Sequence, residues 1–504
     1  MLQPKALIVG SGLGGLSTAL RLSHQGYSVQ IIEKHHQAGG RLNQLKKDGF
    51  TWDVGPSFFS MSYEFDELFN SVGMKNPLKF NELDPLYTVH FAGRNEKYSI
   101  YKDLDKLAKE FAAIEPEFRK HVDGYLKKAE DLFHSTEYPI VKNNFDNPWQ
   151  FFSQFTKVPF KYVPMLFRTM WEELNKHFES EQVKIIFSLV AFFLGATPFD
   201  TPAVYSLLNY TELKHDGYWN VKGGMYQIVD VMMAELEKRG VQFRFNTEVT
   251  EVLSSNGEVT GIRDNEGQLW QADVYVINAD AAAFRGKVLK RQNFTENKLD
   301  KKKWTLAPFT IYLGVDGKLD NLNHHNYFLG ENFKSYADDI FTRQTSPQRP
   351  YYYVNSLSKL NDECAPPGCE NLFILCPVPD LRYKDDWSDA DALADTIIED
   401  LGNRVGFDIK SNVLSKTIWT PEEWQSKFNL YRGSGLGLAH DLNQIGYYRP
   451  KNKDEELNNL YYVGASTTPG TGLPMVVVSS KLVTERILKE QEHVSTVSSN
   501  VQAV

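Results

Sequence analysis

The order of apolar and polar positions near the N-terminus predicts a strand, a helix and a second strand. An apolar run at 6–9 precedes the glycine-rich stretch 10–15, after which apolar residues recur at helical spacing over 16–22. A second apolar run, 29–32, follows and ends at Glu33. Strand, glycine turn, helix and acidic residue in this order predict a βαβ unit with a dinucleotide fingerprint.

Each glycine of this turn has a predicted role. Gly10 permits the tight turn out of the strand, Gly12 lets the backbone approach a pyrophosphate, and Gly15 lets helix and strand pack closely. The phosphates would lie at the helix N-terminus, where free N–H groups and the helix dipole favour an anion. Glu33 would accept hydrogen bonds from the ribose hydroxyls and repel a 2′-phosphate. The ligand is therefore expected to be FAD or NAD.

Two later segments carry further signals of the same domain. A helix is predicted after the glycine pair at 223–224, ends before Gly240, and is followed by a strand at 241–246 and a meander. Near the C-terminus a strand ends at Gly464, and a loop rich in Pro and Gly leads to a helix that begins near Leu473. The N–H groups of this helix offer a second place for a polar part of the ligand.

The remaining segments predict a second domain. Residues 63–132 are predicted as helices with a hairpin formed by 87–91 and 98–101, and 304–450 as mixed strands and helices. We expect these parts to form a substrate domain around an antiparallel sheet. Their pattern assigns no catalytic side chain.

Two apolar stretches lie between these domains. Twelve of the 21 residues of 151–171 are apolar or aromatic, and its only charges are Lys157, Lys161 and Arg168. Such a stretch is typical of a helix in an anionic membrane interface, or of a helix docked on the core with its basic residues in water. The apolar run 185–194 is too short to span a bilayer, and we expect a buried helix or the wall of an apolar tunnel.

Composition narrows the class of protein. A chain of 504 residues can bury two or three cores. Aromatic residues make up 13% of it, which suits either a large apolar cavity or an aromatic core. The net charge of −9 argues against nucleic acid as a partner. Only a few residues precede the first strand, so we expect no signal peptide and a cytoplasmic protein.

The cysteines support a reducing compartment. Cys364, Cys369 and Cys376 are odd in number and lie close together, which is not a disulfide framework. Their spacing matches no standard zinc site, even with His324 and His325 nearby, so no metal is expected.

The residues that follow Glu33 favour FAD over NAD. A glycine pair and an arginine, Gly39-Gly40-Arg41, follow after five intervening residues. With this continuation the chain resembles the flavoprotein superfamily of amine oxidases, protoporphyrinogen oxidases and carotenoid desaturases. In that superfamily the segment wraps the FAD pyrophosphate and lies near the flavin. The C-terminal stretch 460–480 resembles that of bacterial carotenoid desaturases of the phytoene-desaturase type.

The resemblance implies an α/β fold. A Rossmann-like FAD-binding domain from discontinuous segments would combine with a mixed-sheet substrate domain and a helical membrane-facing insertion. The expected boundaries are 1–85, 216–300 and 453–492 for the FAD domain, 86–135 and 301–452 for the substrate domain, 136–215 for the insertion, and 493–504 for a disordered tail.

The glycine turn and the resemblance together assign residues to FAD, and no catalytic side chain is assigned. The assigned residues are Gly10, Gly12, Leu13, Gly14, Gly15, Glu33, Lys34, Gly40, Arg41, Pro56, Ser57, Val249, Asn278, Gly464, Gly472, Leu473, Pro474 and Met475. In the family, the position of Val249 contacts the adenine through its backbone, and Asn278 belongs to the turn after the last meander strand.

The function implied by the resemblance is FAD-dependent desaturation of a carotenoid in carotenoid biosynthesis. Residues 56–61 look like the 1-hydroxycarotenoid 3,4-desaturase branch. Phytoene desaturation, carotenoid oxygenation and redox-silent isomerisation share the same motifs. A prenyl-lipid-binding escort protein without flavin is the non-enzyme alternative, against which Glu33 and the intact glycines argue.

The expected partners follow from that function. They are the carotenoid, a membrane surface held by monotopic association at the inner face of the cell membrane, and oxygen or a quinone as electron acceptor.

Overall fold

The computed structural model describes residues 3–93 and 96–501, with the side chains of 492–501 left aside. The expected tail at 493–504 therefore lies outside the part whose side chains are described. The strands are β1 (Lys5–Val9), β2 (Ser28–Ile32), β3 (Asn43–Lys47), β4 (Phe50–Val54), β5 (Phe80–Glu82), β6 (Tyr87–Phe91), β7 (Glu96–Ile100), β8 (Trp219–Val221), β9 (Gln242–Arg244), β10 (Val249–Ser255), β11 (Glu258–Asp264), β12 (Leu269–Trp270), β13 (Val274–Ile277), β14 (Ala307–Asp316), β15 (His325–Leu329), β16 (Tyr352–Asn355), β17 (Cys369–Val378), β18 (Val413–Trp419) and β19 (Leu460–Tyr462). The α-helices are α1 (Leu13–His24), α2 (Ser62–Ser71), α3 (Leu104–Glu110), α4 (Phe118–Thr136), α5 (Pro148–Phe155), α6 (Pro164–Phe167), α7 (Met170–Leu174), α8 (Glu181–Ser188), α9 (Val190–Phe193), α10 (Leu207–Tyr210), α11 (Gln227–Lys238), α12 (Ala281–Ala283), α13 (Glu296–Leu299), α14 (Phe333–Asp339), α15 (Ala390–Val405), α16 (Pro421–Phe428) and α17 (Leu473–Val501).

A five-stranded parallel sheet in the order β19-β13-β1-β2-β9 forms the first layer. Its strands come from three separated parts of the chain, because β1 and β2 are N-terminal, β9 and β13 lie in the middle and β19 is C-terminal. Alternate residues of β1 point to opposite faces. Ile8 packs among apolar side chains of α1, α11 and α17, whereas Leu7 packs toward the meander β10-β11-β12. The predicted α/β fold class is confirmed.

A seven-stranded mixed sheet in the order β18-β14-β17-β16-β15-β6-β7 forms the second layer. Its pairs are antiparallel except β15 with β6. One face packs on α15, where Phe309, Val354 and Ile397 share a core. The other face carries an aromatic row, including Tyr312 and Tyr353, that belongs to a different core. This face looks toward the helical insertion.

The stretch 151–171 is not one helix. It contains the end of α5, a short 3-10 turn at 160–162, α6 and the first residues of α7. Pro159 and Pro164 interrupt it, since proline lacks the N–H that a continuous helix needs and begins α6 instead. In the residues that the structure describes, no helix combines the length and the apolar character needed to cross a bilayer.

The apolar run 185–194 meets both expectations stated for it. It forms the end of α8 and all of α9, and Ile186, Phe187 and Val190 are buried. Leu189, Phe193 and other residues of the run also line the cavity in which the residues assigned to the cofactor meet. Elsewhere, the three cysteines are buried free thiols. Within 3–93 and 96–501, no group of three or more His, Cys, Asp or Glu side chains is arranged to hold a metal ion.

Candidate functional site

A cavity of about 1090 Å³ lies between the parallel sheet, the aromatic face of the mixed sheet and the helical insertion. All the residues assigned to the cofactor line it except Gly15. The structure therefore brings together segments that are up to 460 residues apart in the chain, from the glycine turn to the start of α17.

The glycine turn has the tight packing that its sequence predicts. Gly10 has φ +99°, and its N–H donates to the Ile32 carbonyl at 2.8 Å. Gly15 lies behind the cavity wall, where a Cβ would be 2.1 Å from the Gly10 carbonyl oxygen. Gly12 is the N-cap of α1, and no side chain caps this helix or places an acid in its first turn. The helix N-terminus therefore keeps N–H groups for an anionic ligand.

Glu33 lies at the cavity wall with its side chain oriented by the backbone. Its Oε2 accepts from the N–H and the hydroxyl of Ser11, both at 2.8 Å, and its Oε1 accepts from the His35 N–H at 3.0 Å. Two carboxylate oxygens offer about four acceptor positions, so capacity remains for a ribose hydroxyl. The residues present fit the ADP-ribosyl half of FAD, and the ribose contact itself stays a prediction.

Asn278 joins the two loops that were assigned to the cofactor. A Cβ on Gly12, Gly14 or Gly464 would lie 2.7–2.9 Å from its side-chain amide. The amide nitrogen donates to the Val463 carbonyl at 3.1 Å, and Oδ1 has no hydrogen-bond partner in the part of the chain described. Asn278 therefore requires glycine at the positions around it and leaves one acceptor near the cavity.

Two basic residues follow Glu33 at the cavity wall. Lys34 Nζ donates to the Ser426 carbonyl at 3.3 Å, and burial lowers its pKa although Glu33 and other acids oppose this. Arg41 donates to the Gly435 carbonyl at 2.9 Å, and burial lowers its pKa against the opposing charge of Asp280. Both residues line the cavity, so their positive charges can pair with a pyrophosphate.

The C-terminal loop is supported from behind by two residues that sequence reasoning missed. Arg449 is buried and donates to the carbonyls of Thr467 at 3.1 Å and Ala465 at 2.7 Å. Burial lowers the pKa of Arg449 to about 10. His440 Nε2 accepts from the Thr471 N–H at 3.3 Å, and burial holds its pKa well below the usual range, so the ring is neutral. No local pattern marks either residue, because each contacts a distant segment.

Phe58, in the loop that follows β4, lies at the centre of an aromatic group. Its ring centroid is 4.0 Å from that of His325, 4.8 Å from Tyr218 and 5.3 Å from Tyr353. Phe193 of the insertion lies 5.0 Å away. This aromatic wall suits a long apolar ligand with few polar contacts.

A buried carboxylate behind this wall was also missed. The Glu212 side chain belongs to the helical insertion, is 1% exposed, and has a pKa that burial raises to about 7. Its Oε2 accepts from Asn209 Nδ2 at 3.3 Å. Its sequence context, a run of mixed polar residues, does not distinguish it from a surface glutamate.

The helical insertion exposes large apolar side chains next to the cavity. Phe160, Phe167 and Trp149 are 85%, 80% and 82% exposed, and residues of the same segment, among them Phe155 and Tyr162, line the cavity. A run of such exposed residues is unusual for a water-facing surface.

Arg168 differs from the other cations of the stretch. Its guanidinium pairs with the buried Glu173 while 28% of its side chain stays exposed, so its charge is compensated within the protein. Its contact with a membrane interface stays a prediction. Lys157 and Lys161 remain as cations of the stretch, and Lys161 is paired at the surface with Asp131 at 3.3 Å.

Comparison with known proteins assigns nearly the whole chain to one family. The family model described as flavin containing amine oxidoreductase matches residues 13–488. A zeta-carotene-forming phytoene desaturase of Myxococcus xanthus is 34% identical over 488 residues, which cover 96% of this chain and 94% of the relative. A carotenoid 3,4-desaturase of Haloarcula japonica is 29% identical and covers 96% of this chain and 98% of its own.

Solved structures share the fold at low sequence identity. Putrescine oxidase bound to putrescine aligns with TM-score 0.64 at 15% identity, over 97% of this chain and 99% of its own. A Rab GDI from Plasmodium falciparum aligns with TM-score 0.52 at 11% identity, over 96% of this chain and 98% of its own. The resemblance inferred from the sequence motifs is confirmed, and with it FAD as the cofactor and oxidoreductase as the class of enzyme.

Proposed function

This chain belongs to the family of flavin-containing amine oxidoreductases, and we propose that within this family it is a carotenoid desaturase. The observation that carries the proposal is the cavity, which joins the cofactor residues to an aromatic wall centred on Phe58. The relatives named phytoene desaturase and carotenoid 3,4-desaturase support a carotenoid as the substrate. The reaction acts on a CH–CH bond of the polyene.

The chain's own residues bind and orient the reactants. The glycine turn, Glu33 and the Gly472 loop would hold FAD, which supplies the hydride acceptor when bound. A double bond forms when one carbon of the polyene loses a hydride and its neighbour loses a proton. The positive charge left by hydride loss is delocalised along the polyene, so the wall need not supply a strong base.

The apolar side chains of the cavity wall serve the reaction as well as substrate binding. Phe58, Phe193 and Leu189 surround the substrate with carbon atoms and keep water away from the delocalised charge. An apolar channel also binds a polyene through the apolar surface area that becomes buried, rather than through polar contacts. The position of the bond that reacts is then set by how far the substrate can enter.

We propose 3,4-desaturation of a 1-hydroxycarotenoid as the specific reaction. One observation favours it over phytoene desaturation: the Phe58-Phe59 pair after Ser57, which resembles that branch. A relative named carotenoid 3,4-desaturase is compatible with it. Phytoene desaturation is the second candidate, since relatives with that name cover nearly the whole chain.

We further propose that the insertion docks on a membrane surface. Phe160 and Phe167 would enter the interface while Lys157 and Lys161 contact anionic lipid. A polyene dissolved in the bilayer could then pass into the cavity without crossing water. This arrangement supports a peripheral protein at the inner face of the cell membrane.

The test is incubation of the FAD-loaded protein in liposomes with a panel of carotenoids. Desaturation removes two hydrogens from the substrate, isomerisation leaves its mass unchanged, and oxygenation adds oxygen. A product lighter by two hydrogens supports the proposal, and a product of unchanged or greater mass would contradict it. Comparing reactions under oxygen and under a quinone without oxygen identifies the electron acceptor.

A further inference from the structure

Two tyrosine hydroxyl groups inside the cavity have no partner. Tyr218, just before β8, and Tyr327, in the middle of β15, line the cavity and are only 4% and 7% exposed. Neither hydroxyl makes a hydrogen bond with any residue in 3–93 or 96–501. Both residues line the cavity, so their hydroxyls offer polar atoms to a ligand in a wall that is otherwise apolar.

Glu212 places an acceptor behind these two hydroxyls. Its Oε1 has no hydrogen-bond partner among the described residues. Tyr87 connects it to the two tyrosines: the ring of Tyr87 lies 6.4 Å from that of Tyr218 and 5.4 Å from that of Tyr327, measured between centroids, and its side chain pairs with Glu212. Glu212 does not line the cavity itself, so it lies behind the wall and holds polar groups there rather than meeting a ligand.

The carboxylate is held in a fixed position. Asn209 donates to Glu212 Oε2 at 3.3 Å and to the Phe187 carbonyl at 3.1 Å. Tyr125 donates to Asn209 Oδ1 at 2.7 Å. The polar atoms around Glu212 are therefore ordered before any ligand enters, which favours specific recognition.

The position of these groups suits the end of a long ligand. Tyr218 lies 4.8 Å and Tyr327 6.2 Å from the ring of Phe58, measured between centroids, in a wall that is otherwise apolar. Tyr327 belongs to the mixed sheet and Tyr218 to the same aromatic core, whereas the exposed Phe160 and its neighbours lie on the insertion. An apolar chain that enters past the insertion would bring its leading end to Tyr218 and Tyr327.

We infer that Tyr218 and Tyr327 form a binding site for a hydroxyl group on the leading end of the polyene. A hydroxyl can donate to one phenol oxygen and accept from the other at once, so one ligand group pairs with both tyrosines. The site would select a hydroxylated carotenoid over its deoxy counterpart. This inference rests on the proposed function, since it requires a polyene in the cavity.

The test compares two acyclic carotenoids that differ only in one terminal hydroxyl. Initial rates of the FAD-loaded full-length protein in liposomes give kcat/KM for each. Wild type should prefer the hydroxylated compound by roughly tenfold or more, because a site built to bond a hydroxyl rejects the analogue that lacks it. Tyr218→Phe and Tyr327→Phe should each lower this preference severalfold by slowing the hydroxylated substrate alone.

A matched control lies beside the site. Tyr352 belongs to the same sheet, but its hydroxyl donates to Asp400 at 2.5 Å, toward α15. Tyr352→Phe should therefore keep the wild-type preference. Flavin content and circular dichroism of each variant show that it is folded. The wild-type protein by itself shows whether the hydroxylated carotenoid is preferred, so the inference can be tested even if a variant does not fold.

The outcomes separate this inference from the proposed function. Equal kcat/KM for both carotenoids in wild type would overturn the hydroxyl site while leaving the desaturase proposal intact. Equal losses on both substrates in the Tyr218 and Tyr327 variants would also overturn it. Absence of turnover on either carotenoid would contradict the proposed function itself.

Discussion

The side-chain nitrogen of Asn278 donates to the carbonyl oxygen of Val463 at 3.1 Å. The first residue follows β13, and the second follows β19. Because Asn278 also packs against Gly12 and Gly14 at distances that leave no room for a Cβ, one side chain joins the N-terminal glycine turn to the C-terminal loop. The cofactor cradle is therefore a single unit built from three segments.

Replacement of Asn278 should loosen that unit. We expect Asn278→Leu to lower FAD retention roughly five- to tenfold, as for loss of about 1 kcal/mol from one hydrogen bond. Flavin absorbance per protein after dialysis measures the effect. The exposed Asn70→Leu on α2 serves as the control. Wild-type flavin content in Asn278→Leu would show that the link does not support the cradle.

Glu33 is expected to hold FAD by its charge. Glu33→Gln keeps the shape but weakens acceptance from Ser11, from His35 and from the ribose. Loss of a charged hydrogen bond, roughly 1.5–3 kcal/mol, should raise the dissociation constant for FAD about ten- to a hundredfold. Titration of the apoprotein with FAD gives this constant. The exposed Glu399→Gln should match wild type, and an unchanged constant for Glu33→Gln would refute the assignment.

Substitution of Gly472 tests whether the C-terminal loop contacts the cofactor. Its φ is +107°, and a Cβ there would have only Met475 within reach, at 3.9 Å. Gly472→Val should therefore fold, at a strain of about 1–3 kcal/mol, while FAD binding or flavin reduction by substrate is impaired. Gly368 has φ +82° and no neighbour within 4 Å, so Gly368→Val carries similar backbone strain away from the cavity. If both variants bind and reduce FAD equally well, the loop lies elsewhere.

Membrane docking should depend on both charge and apolar area. A variant with Lys157→Glu, Lys161→Glu, Phe160→Ser and Phe167→Ser should lose most flotation with anionic liposomes, because cations and exposed rings act together at an interface. Arg168 is left unchanged because it pairs with Glu173. The control reverses two exposed lysines of the substrate domain, Lys334→Glu and Lys410→Glu. Equal flotation of all three proteins would exclude this surface.

Glu212 should make stability fall as pH rises. Burial raises its pKa in the folded protein to about 7, against about 4.3 in an unfolded chain. The folded state therefore holds the proton more tightly, and the free energy of unfolding decreases between these values, by up to about 4 kcal/mol. Glu212→Gln lacks this titration, so its stability relative to wild type should increase from pH 5 to pH 8.

Urea unfolding at the two pH values measures that difference. The exposed Glu399→Gln on α15 provides the control for the same substitution made at the surface. If the stability difference between Glu212→Gln and wild type is the same at pH 5 and pH 8, Glu212 does not titrate in this range.

The sequence alone determined the parts that depend on neighbouring residues. The turn at Gly10 needs a positive φ, and the period of apolar residues in 16–22 makes one helix face, so β1, α1 and β2 could be predicted. The C-terminal strand, loop and helix start at Leu473 were predicted for the same reason. The family resemblance rests on these same local motifs, which is why the cofactor and its residues could be named.

Only the tertiary structure decided which distant residues meet. Arg449 supports the 464–472 loop, Arg168 pairs with Glu173, and Tyr218 and Tyr327 line the same cavity. These contacts arise from packing between elements far apart in the chain, and they leave no periodicity or local backbone requirement in the sequence. A local pattern records the conformation of its own segment, whereas a site made of several segments is set by how those segments pack.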